Sequence, residues 1–466
     1  MSTFSMFEIG KSALIASKRS MDVTSHNIAN AATPGYSRQD AFLEPIIQRQ
    51  SYISGVGVRV ADIRRTRDVF VDAVLRNEIG REAAYLVQQE VLDHVQTAFA
   101  EPGDGSLRAV IDSFWAAWED VASDPGSISA KAQLMERGRS LVDLFNHLAY
   151  QLDSVSDDID THIKCLVDRV NDLAGRVAAL NVEIARALAR QEPAADLMDR
   201  RDLLLDELAE LTGGSVTYIG EGNAVRFTVG GFPLVDRDRA YEIEAHISGN
   251  ETEIRWKSSS EDNSPKTISS VGGRIGGLQA AKADIVVKFR KRLEDLFKDI
   301  VEGVNARHQD ADGNLKFFEV DPAGPYLGAV KVNPEIVADP SKIITTSPDG
   351  ASPGNIAHEI ADFLANGGQL TPGDDSSNVD PFVETWTAII GELGAQAQKI
   401  ETGAIIQGLL VKELRNRRDS ISGVSVDEEV ANLIRQQHAF SAASRVITIA
   451  DEMIDTIINR MGIAGR

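Results

Sequence analysis

Three stretches of this chain carry residue types that handle phosphate or metal ions, and each lacks a part that its chemistry needs. Gly10-Lys11-Ser12 matches the last three positions of a phosphate-binding loop, where backbone N–H groups and a lysine cradle a nucleotide. That loop requires a glycine five positions earlier, where Ser5 stands, and no strand pattern leads into it. Asp310-Ala311-Asp312-Gly313-Asn314 spaces its oxygen ligands like the start of a calcium loop. The sixth position should be glycine and the twelfth glutamate, but they are Leu315 and Asp321, so a solvated turn is expected. Gly272-Gly273-Arg274-Ile275-Gly276-Gly277 offers backbone amides at a helix start. Without G-x-G-x-x-G spacing or a following Lys-Ser/Thr pair it reads as a tight turn.

The other reactive side chains form no constellation. The eight histidines are scattered, with no H-E-x-x-H or Cys–His grouping. No G-x-S-x-G nucleophile elbow occurs. The single cysteine, Cys165, cannot close an internal disulfide, and in a helical pattern it reads as a small hydrophobe. Acidic residues are spread over helix faces as solvated charge. No catalytic residue, cofactor site or metal site is therefore expected, and the chain reads as something other than an enzyme.

Composition narrows the class. With 466 residues the chain is expected to form two or three domains. A net charge of −22 gives it no electrostatic attraction to phosphate backbones or anionic lipid, so neither nucleic acid nor membrane is expected as partner. No stretch approaches the uninterrupted apolar length of a bilayer span. The first twenty residues, MSTFSMFEIGKSALIASKRS, lack the basic, apolar and small-residue sequence of a cleaved secretion signal. Composition alone thus reads as cytoplasmic.

The elements that would position any site are mostly helices. Near the N-terminus Phe7, Leu14, Met21 and Ile28 recur every seven residues, beside a small-residue column of Gly10, Ser17, Thr24 and Ala31. Near the C-terminus the column is Val426, Leu433, Phe440, Ile447, Ile454 and Met461, with Val430 alongside. Such spacing keeps one stripe toward a partner helix, and the small residues allow close approach. Phe7, Leu14, Met21 and Ile28 are expected to face Leu433, Phe440 and Ile447, with the stripes completed by neighbouring copies. Further runs predict helices over Ile159–Ala187 and Trp386–Leu414, both read as intramolecular core, and near residues 68–100, 106–122, 129–153, 196–212 and 275–305.

Residues 215–270 alternate β-branched runs with turns and predict a small antiparallel β unit. The expected fold is mainly α with a small β-rich insertion, an elongated multi-domain rod. Residues 1–40 and 420–466 form a terminal coiled coil, and 41–214, 271–305 and 381–419 a long-helix bundle. Residues 306–380, rich in Pro, Gly, Asp and Asn, make an irregular excursion packed on that bundle.

Ala29-Asn30-Ala31-Ala32-Thr33-Pro34-Gly35-Tyr36-Ser37-Arg38-Gln39 ends the first helix, because Pro34 and Gly35 stop it. The segment resembles the motif shared by flagellar rod, hook and hook-associated subunits. Asp196-Leu197-Met198-Asp199-Arg200-Arg201-Asp202-Leu203-Leu204 resembles the D-L-x-D-x-R-D-x-L segment of the hook-associated protein 1 family, and is the most discriminating piece. Gly55–Val58 with Ile63-Arg64-Arg65 and Arg67-Asp68, Gly272–Leu278, Val304–His308, Phe317-Phe318, Arg417–Glu429 and Ala450–Thr456 are similar to that family as well. The middle is short, with little room for the large outer domains some members carry.

The resemblance implies a structural subunit that polymerises at the distal end of the hook and seats the filament. It implies as partners further copies of the chain, the hook protein and hook-associated protein 3. An export chaperone on the C-terminal helix is implied too. It also implies an extracellular place on the flagellum, reached by type III export without signal cleavage, which replaces the cytoplasmic reading. The nearest alternative is another axial subunit, a hook or distal-rod protein, against which stand the long Ile159–Ala187 helix and the 196–204 segment. A cell-wall hydrolase and a cytoplasmic coiled-coil adaptor are more distant readings.

Overall fold

The computed structural model describes residues 3–46, 57–99, 106–220, 224–257, 265–308, 315–321, 326–347, 352–372 and 378–456. Helix α1 (Thr3–Asn30) lacks proline, and α10 (Val426–Asp455) starts at Ser425, whose side chain caps the N–H of Glu428. The two pack along each other, so the chain's described ends form one paired unit. The pair closes through small residues. A Cβ on Gly10 would lie 2.7 Å from Ile447 Cγ1 and 3.6 Å from the Ala443 carbonyl, and Ala16, Ser20, Thr24, Ala443 and Ala450 are buried.

Strands β1 (Gln39–Ile46) and β2 (Gly57–Arg65) make an antiparallel hairpin that lies along α1. Asn27 imitates a neighbouring strand. Its Nδ2 donates to the Gln39 carbonyl at 2.9 Å, and its Oδ1 accepts the Gln39 N–H at 3.0 Å. Ser12 Oγ accepts the Val58 N–H at 3.2 Å. The hairpin thus packs along α1, although the expected boundary at residue 41 groups most of it with the bundle.

The bundle comprises α2 (Val69–Phe99), α3 (Leu107–Ser123), α4 (Ile128–Ala189), α5 (Ala195–Thr212), α6 (Gly273–Ala281) and α7 (Lys288–Arg307). With it pack α8 (Asn355–Asn366) and α9 (Phe382–Ser422). A π-helical turn, Lys282–Val287, joins α6 to α7. Helix α4 has 62 residues, about 93 Å at 1.5 Å per residue, where two separate helices were expected. Residues 154–158, Ser-Val-Ser-Asp-Asp, contain no proline or glycine to break it. Leu152 and Ile159 stay on one buried face at a seven-residue step.

The β unit is two sheets. One joins β3 (Ser215–Ile219), β4 (Ala224–Val229), β5 (Phe232–Asp236) and β6 (Arg239–Ala240). The other joins β7 (Glu242–Ser248), β8 (Glu251–Lys257) and β9 (Lys266–Thr267). β4 points Val225, Phe227 and Val229 inward by strand alternation. The 306–380 excursion supplies Phe317, Phe318 and Phe363 to the same hydrophobic core, which runs from Val87 to Ile400 without interruption. Phe317 fits against Gly138 of α4, where any side chain would collide with its ring.

Candidate functional site

The two most distinctive sequence segments, 29–39 and 196–204, meet in one charged hub between the terminal pair and the bundle. On α5, Asp199, Asp202 and Asp206 follow i, i+3, i+7 spacing, which puts three carboxylates on one helix edge. At the end of β2, Arg65 and Arg67 point the same way, two residues apart. Arg65 Nη1 donates to Asp199 Oδ1 at 2.8 Å and Asp202 Oδ2 at 2.7 Å. Arg67 Nη1 reaches Asp202 Oδ2 at 2.6 Å, while its other nitrogens bind both oxygens of Asp72. Arg76 of α2 and Arg418 of α9 each hold one oxygen of Asp206, at 2.6 and 2.9 Å.

The turn after α1 docks on this edge. Gly35 has φ +76°, and a Cβ there would overlap Leu203, so both conformation and space call for glycine. Thr33 Oγ1 donates to Asn30 Oδ1 at 3.2 Å, and the Asn30 amide donates back to the His26 carbonyl at 3.0 Å. Ser37 gives both its N–H and its hydroxyl to Asp199, at 3.0 and 2.8 Å. Gln39 Nε2 donates to Asp196 Oδ1 at 2.8 Å. Arg38 links three elements. Its N–H donates to the Ser422 carbonyl at the end of α9, its carbonyl accepts the Thr66 N–H before α2, and its guanidinium pairs with Glu429 of α10 at 3.1 Å. Glu429 is buried and also accepts from Asn27 Nδ2 at 3.0 Å.

Electrostatics favour this state. Burial alone would raise the Asp202 carboxyl, but the Arg67, Arg65, Arg76 and Arg201 guanidiniums outweigh it and hold the group below the usual carboxylate range. For Arg67, burial opposes the charge, and Asp202 and Asp72 overcome it. Burial, then the carboxylates of Asp196, Asp199 and Glu429, push the Tyr36 phenol up, so it stays a neutral donor to Asn27 Oδ1 at 2.8 Å. The cleft at the hub is lined by Tyr36, Arg67, Asp202 and Arg418 among others, side chains that are engaged with one another or with neighbouring elements. The arrangement can lock elements together.

The structure thus brings Asn30, Thr33, Gly35, Tyr36, Ser37, Arg38, Asp196, Asp199 and Asp202 to one place. Pro34 is exposed on the turn. Leu197 instead packs with Ile184, Ala194 and Met198. Arg201 faces the β unit, donating to Asn181 Oδ1 at 3.0 Å, and Asn181 Nδ2 in turn binds the Val225 and Arg237 carbonyls. Arg65, Arg67, Arg418 and Glu429 lie in the family-like segments at 63–68 and 417–429, whereas Asn27, Arg76 and Asp206 are hub residues that sequence reading did not single out. Of these three, Asp206 carried a signal, since it continues the helical spacing of Asp199 and Asp202.

Of the apolar columns, Leu14, Met21, Ile28, Leu433, Ile447 and Ile454 are half-buried, Ile447 lying against Gly10 between the two helices, and Phe7, Val426, Val430 and Phe440 are exposed. The small Gly10 lets the two helices approach there. Met461 falls outside the described residues. Gly10-Lys11-Ser12 sits inside α1. Gly272 and Gly273 pack backbone to backbone against the Thr212–Gly213 turn. The 310–314 segment is not described. Among the described residues no group of three or more metal-ligating side chains converges, and no helix is long and apolar enough to cross a membrane.

Comparison with known proteins covers these same segments. Residues 92–317 match the family model "Flagellar hook-associated protein FlgK helical domain". Residues 7–36 match "Flagella basal body rod protein", and 417–461 match "Flagellar basal body rod FlgEFG protein C-terminal". Flagellar hook-associated protein 1 of Bacillus subtilis is 26% identical over 515 residues, covering 100% of both chains. The protein of that name from Salmonella typhimurium is 22% identical, covering 98% of this chain and 99% of its own. The flagellar hook junction protein FlgK from Burkholderia pseudomallei shares the fold. Its TM-score is 0.62, over 76% of this chain and 100% of that one, at 13% identity.

Proposed function

This chain belongs to the flagellar hook-associated protein 1 family of hook–filament junction proteins, and from that premise we propose that copies of it polymerise at the distal end of the hook and seat the filament. The family is a structural one, and we assign the chain no catalytic role. The observation that carries the reading is the hub. It fixes the paired terminal helices to the bundle through Ser37–Asp199, Arg38–Glu429 and Arg65–Asp202, so that the pair is held out as one rigid assembly element.

The half-buried apolar residues Leu14, Met21, Ile28 and Leu433, and the exposed Phe7, Val426, Val430 and Phe440, are then contacts to neighbouring subunits. The same reading gives the hook protein below and hook-associated protein 3 above as partners. It places the chain outside the cell after export without signal cleavage. An exposed apolar stripe on α10 needs cover before assembly, which suits an export chaperone. Matches to rod-protein models at both ends favour an axial subunit generally, and the helical-domain match over 92–317 favours the junction within that class.

An in-frame deletion of the gene, followed by electron microscopy and a flagellin assay of the medium, tests this. Intact hooks without filaments, with flagellin released into the medium, are expected. Absent or truncated hooks would assign the chain to the rod or hook instead, and normal flagella would overturn the proposal.

A further inference from the structure

Helix α9 carries apolar residues on two opposite sides. Its inner side, Ile400, Ala404, Gln407 and Val411, is buried against α2. There Gln407 Nε2 donates to the Glu78 carbonyl and carboxylate, and Val411 packs with Leu75 and Ile79. The outer side carries Ile405, Ile406, Leu409 and Leu410, which are 58%, 61%, 64% and 43% exposed. A helix with one packed face normally turns charged residues to water on the other.

Along the line of Ile405 and Leu409 the outer side remains uncharged toward the start of the helix. At 100° per residue, Gly391, Gly394, Ala395, Gln398 and Thr402 fall near that line, and all are exposed. Lys399 borders it on the side of Ile406 and Leu410, Glu401 borders it on the other, and Glu413 closes it at its C-terminal end. The result is a neutral strip about 27 Å long, flat at one end and aliphatic at the other.

We infer that this strip is where a second copy of the same chain packs in the assembled structure, an inference that rests on the assembly role proposed above. The choice of occupant follows from charge. At −22 per chain, copies repel one another, and contact through ordinary acidic faces would bury unpaired carboxylates. A neutral strip lets two such chains touch without that cost. A strip of this size is smaller than a stable interface needs by itself, and the terminal contacts supply the rest. Open-ended assembly of one chain uses unlike surfaces, so the strip meets a different face of the neighbour.

The test places a photoreactive benzoyl-phenylalanine at position 409 of the full chain, in cells whose flagella are then isolated and irradiated. A product at twice the chain's mass, containing peptides of this chain alone, is expected. Cross-linking to a different protein, or none although the chain is present in isolated hooks, would overturn the inference. Absence of the unsubstituted chain from isolated hooks would count against the assembly role itself. As a second measurement, the Ile406→Glu, Leu409→Glu variant should keep the helical circular dichroism and melting of the parent, because neither side chain is packed in the isolated chain. Its incorporation should fall at least tenfold, and incorporation at the parental level would overturn the inference.

Discussion

Replacing Asp202 with alanine is expected to destabilise the chain by about 3–5 kcal/mol, the effect of removing one partner from a buried ion pair. Asp202 is almost fully buried and takes hydrogen bonds from Arg65 and Arg67, with Arg76 3.6 Å away. Without it those guanidiniums remain buried against Asp199, Asp72 and Asp206, which are already engaged. Asp62→Ala removes an equally well-formed pair with Arg64 at the surface and should change stability by less than about 1 kcal/mol. Denaturant unfolding of both variants, with hydrogen exchange at residues 31–38, separates the two cases. Equal stability of the two variants would mean that the hub arginines are solvated without Asp202.

Acid provides a second readout of the same group. Because the folded chain holds the Asp202 carboxyl below its unfolded value, the stabilisation is fully present above about pH 4. It is lost as pH falls through the depressed folded value. The parent should therefore lose more stability below pH 4 than Asp202→Ala does.

Much of this was readable from local spacing, and what was not readable involves partners distant in sequence. The turn at Pro34-Gly35 and the inner face of α9 through Trp386, Leu393, Ile400 and Val411 follow from residue type and period. The column Gly10, Ser17, Thr24 and Ala31 signalled a close helix approach, and Gly10 and Thr24 are indeed buried in it. A sevenfold apolar column looks the same whether it fills a seam or flanks it, so Leu14 and Met21 could not be assigned a depth from period alone. The hub was legible only as separate segments, at 29–39, 63–68, 196–204 and 417–429, with nothing to say that they meet. Arg65 meets Asp199 across 134 positions and Asn27 meets Glu429 across 402, distances over which no periodicity speaks. Serine and aspartate at 154–158 lowered helix propensity, but the packed face of Leu152 and Ile159 outweighed it and kept α4 whole.

Aspartates at 433 and 440 together should abolish incorporation into the flagellum while leaving the isolated chain folded. In the single chain Leu433 is half-buried and Phe440 exposed, so each carboxylate can still reach water. The hub lies a turn or more away, at Glu429, and keeps its partners. On the proposed assembly the same positions face neighbouring copies, where an unpaired carboxylate costs several kcal/mol. At 1.4 kcal/mol per factor of ten, two such groups reduce incorporation by about a hundredfold or more. Parental circular dichroism with no chain recovered in isolated hooks is the expected pair of results. Normal incorporation would show that the exposed column is ordinary surface, and would return the polymer contact to the small-residue seam between α1 and α10. Loss of folding together with incorporation would mean instead that Leu433 and Phe440 stabilise the helix pair within one chain, more than their exposure implies.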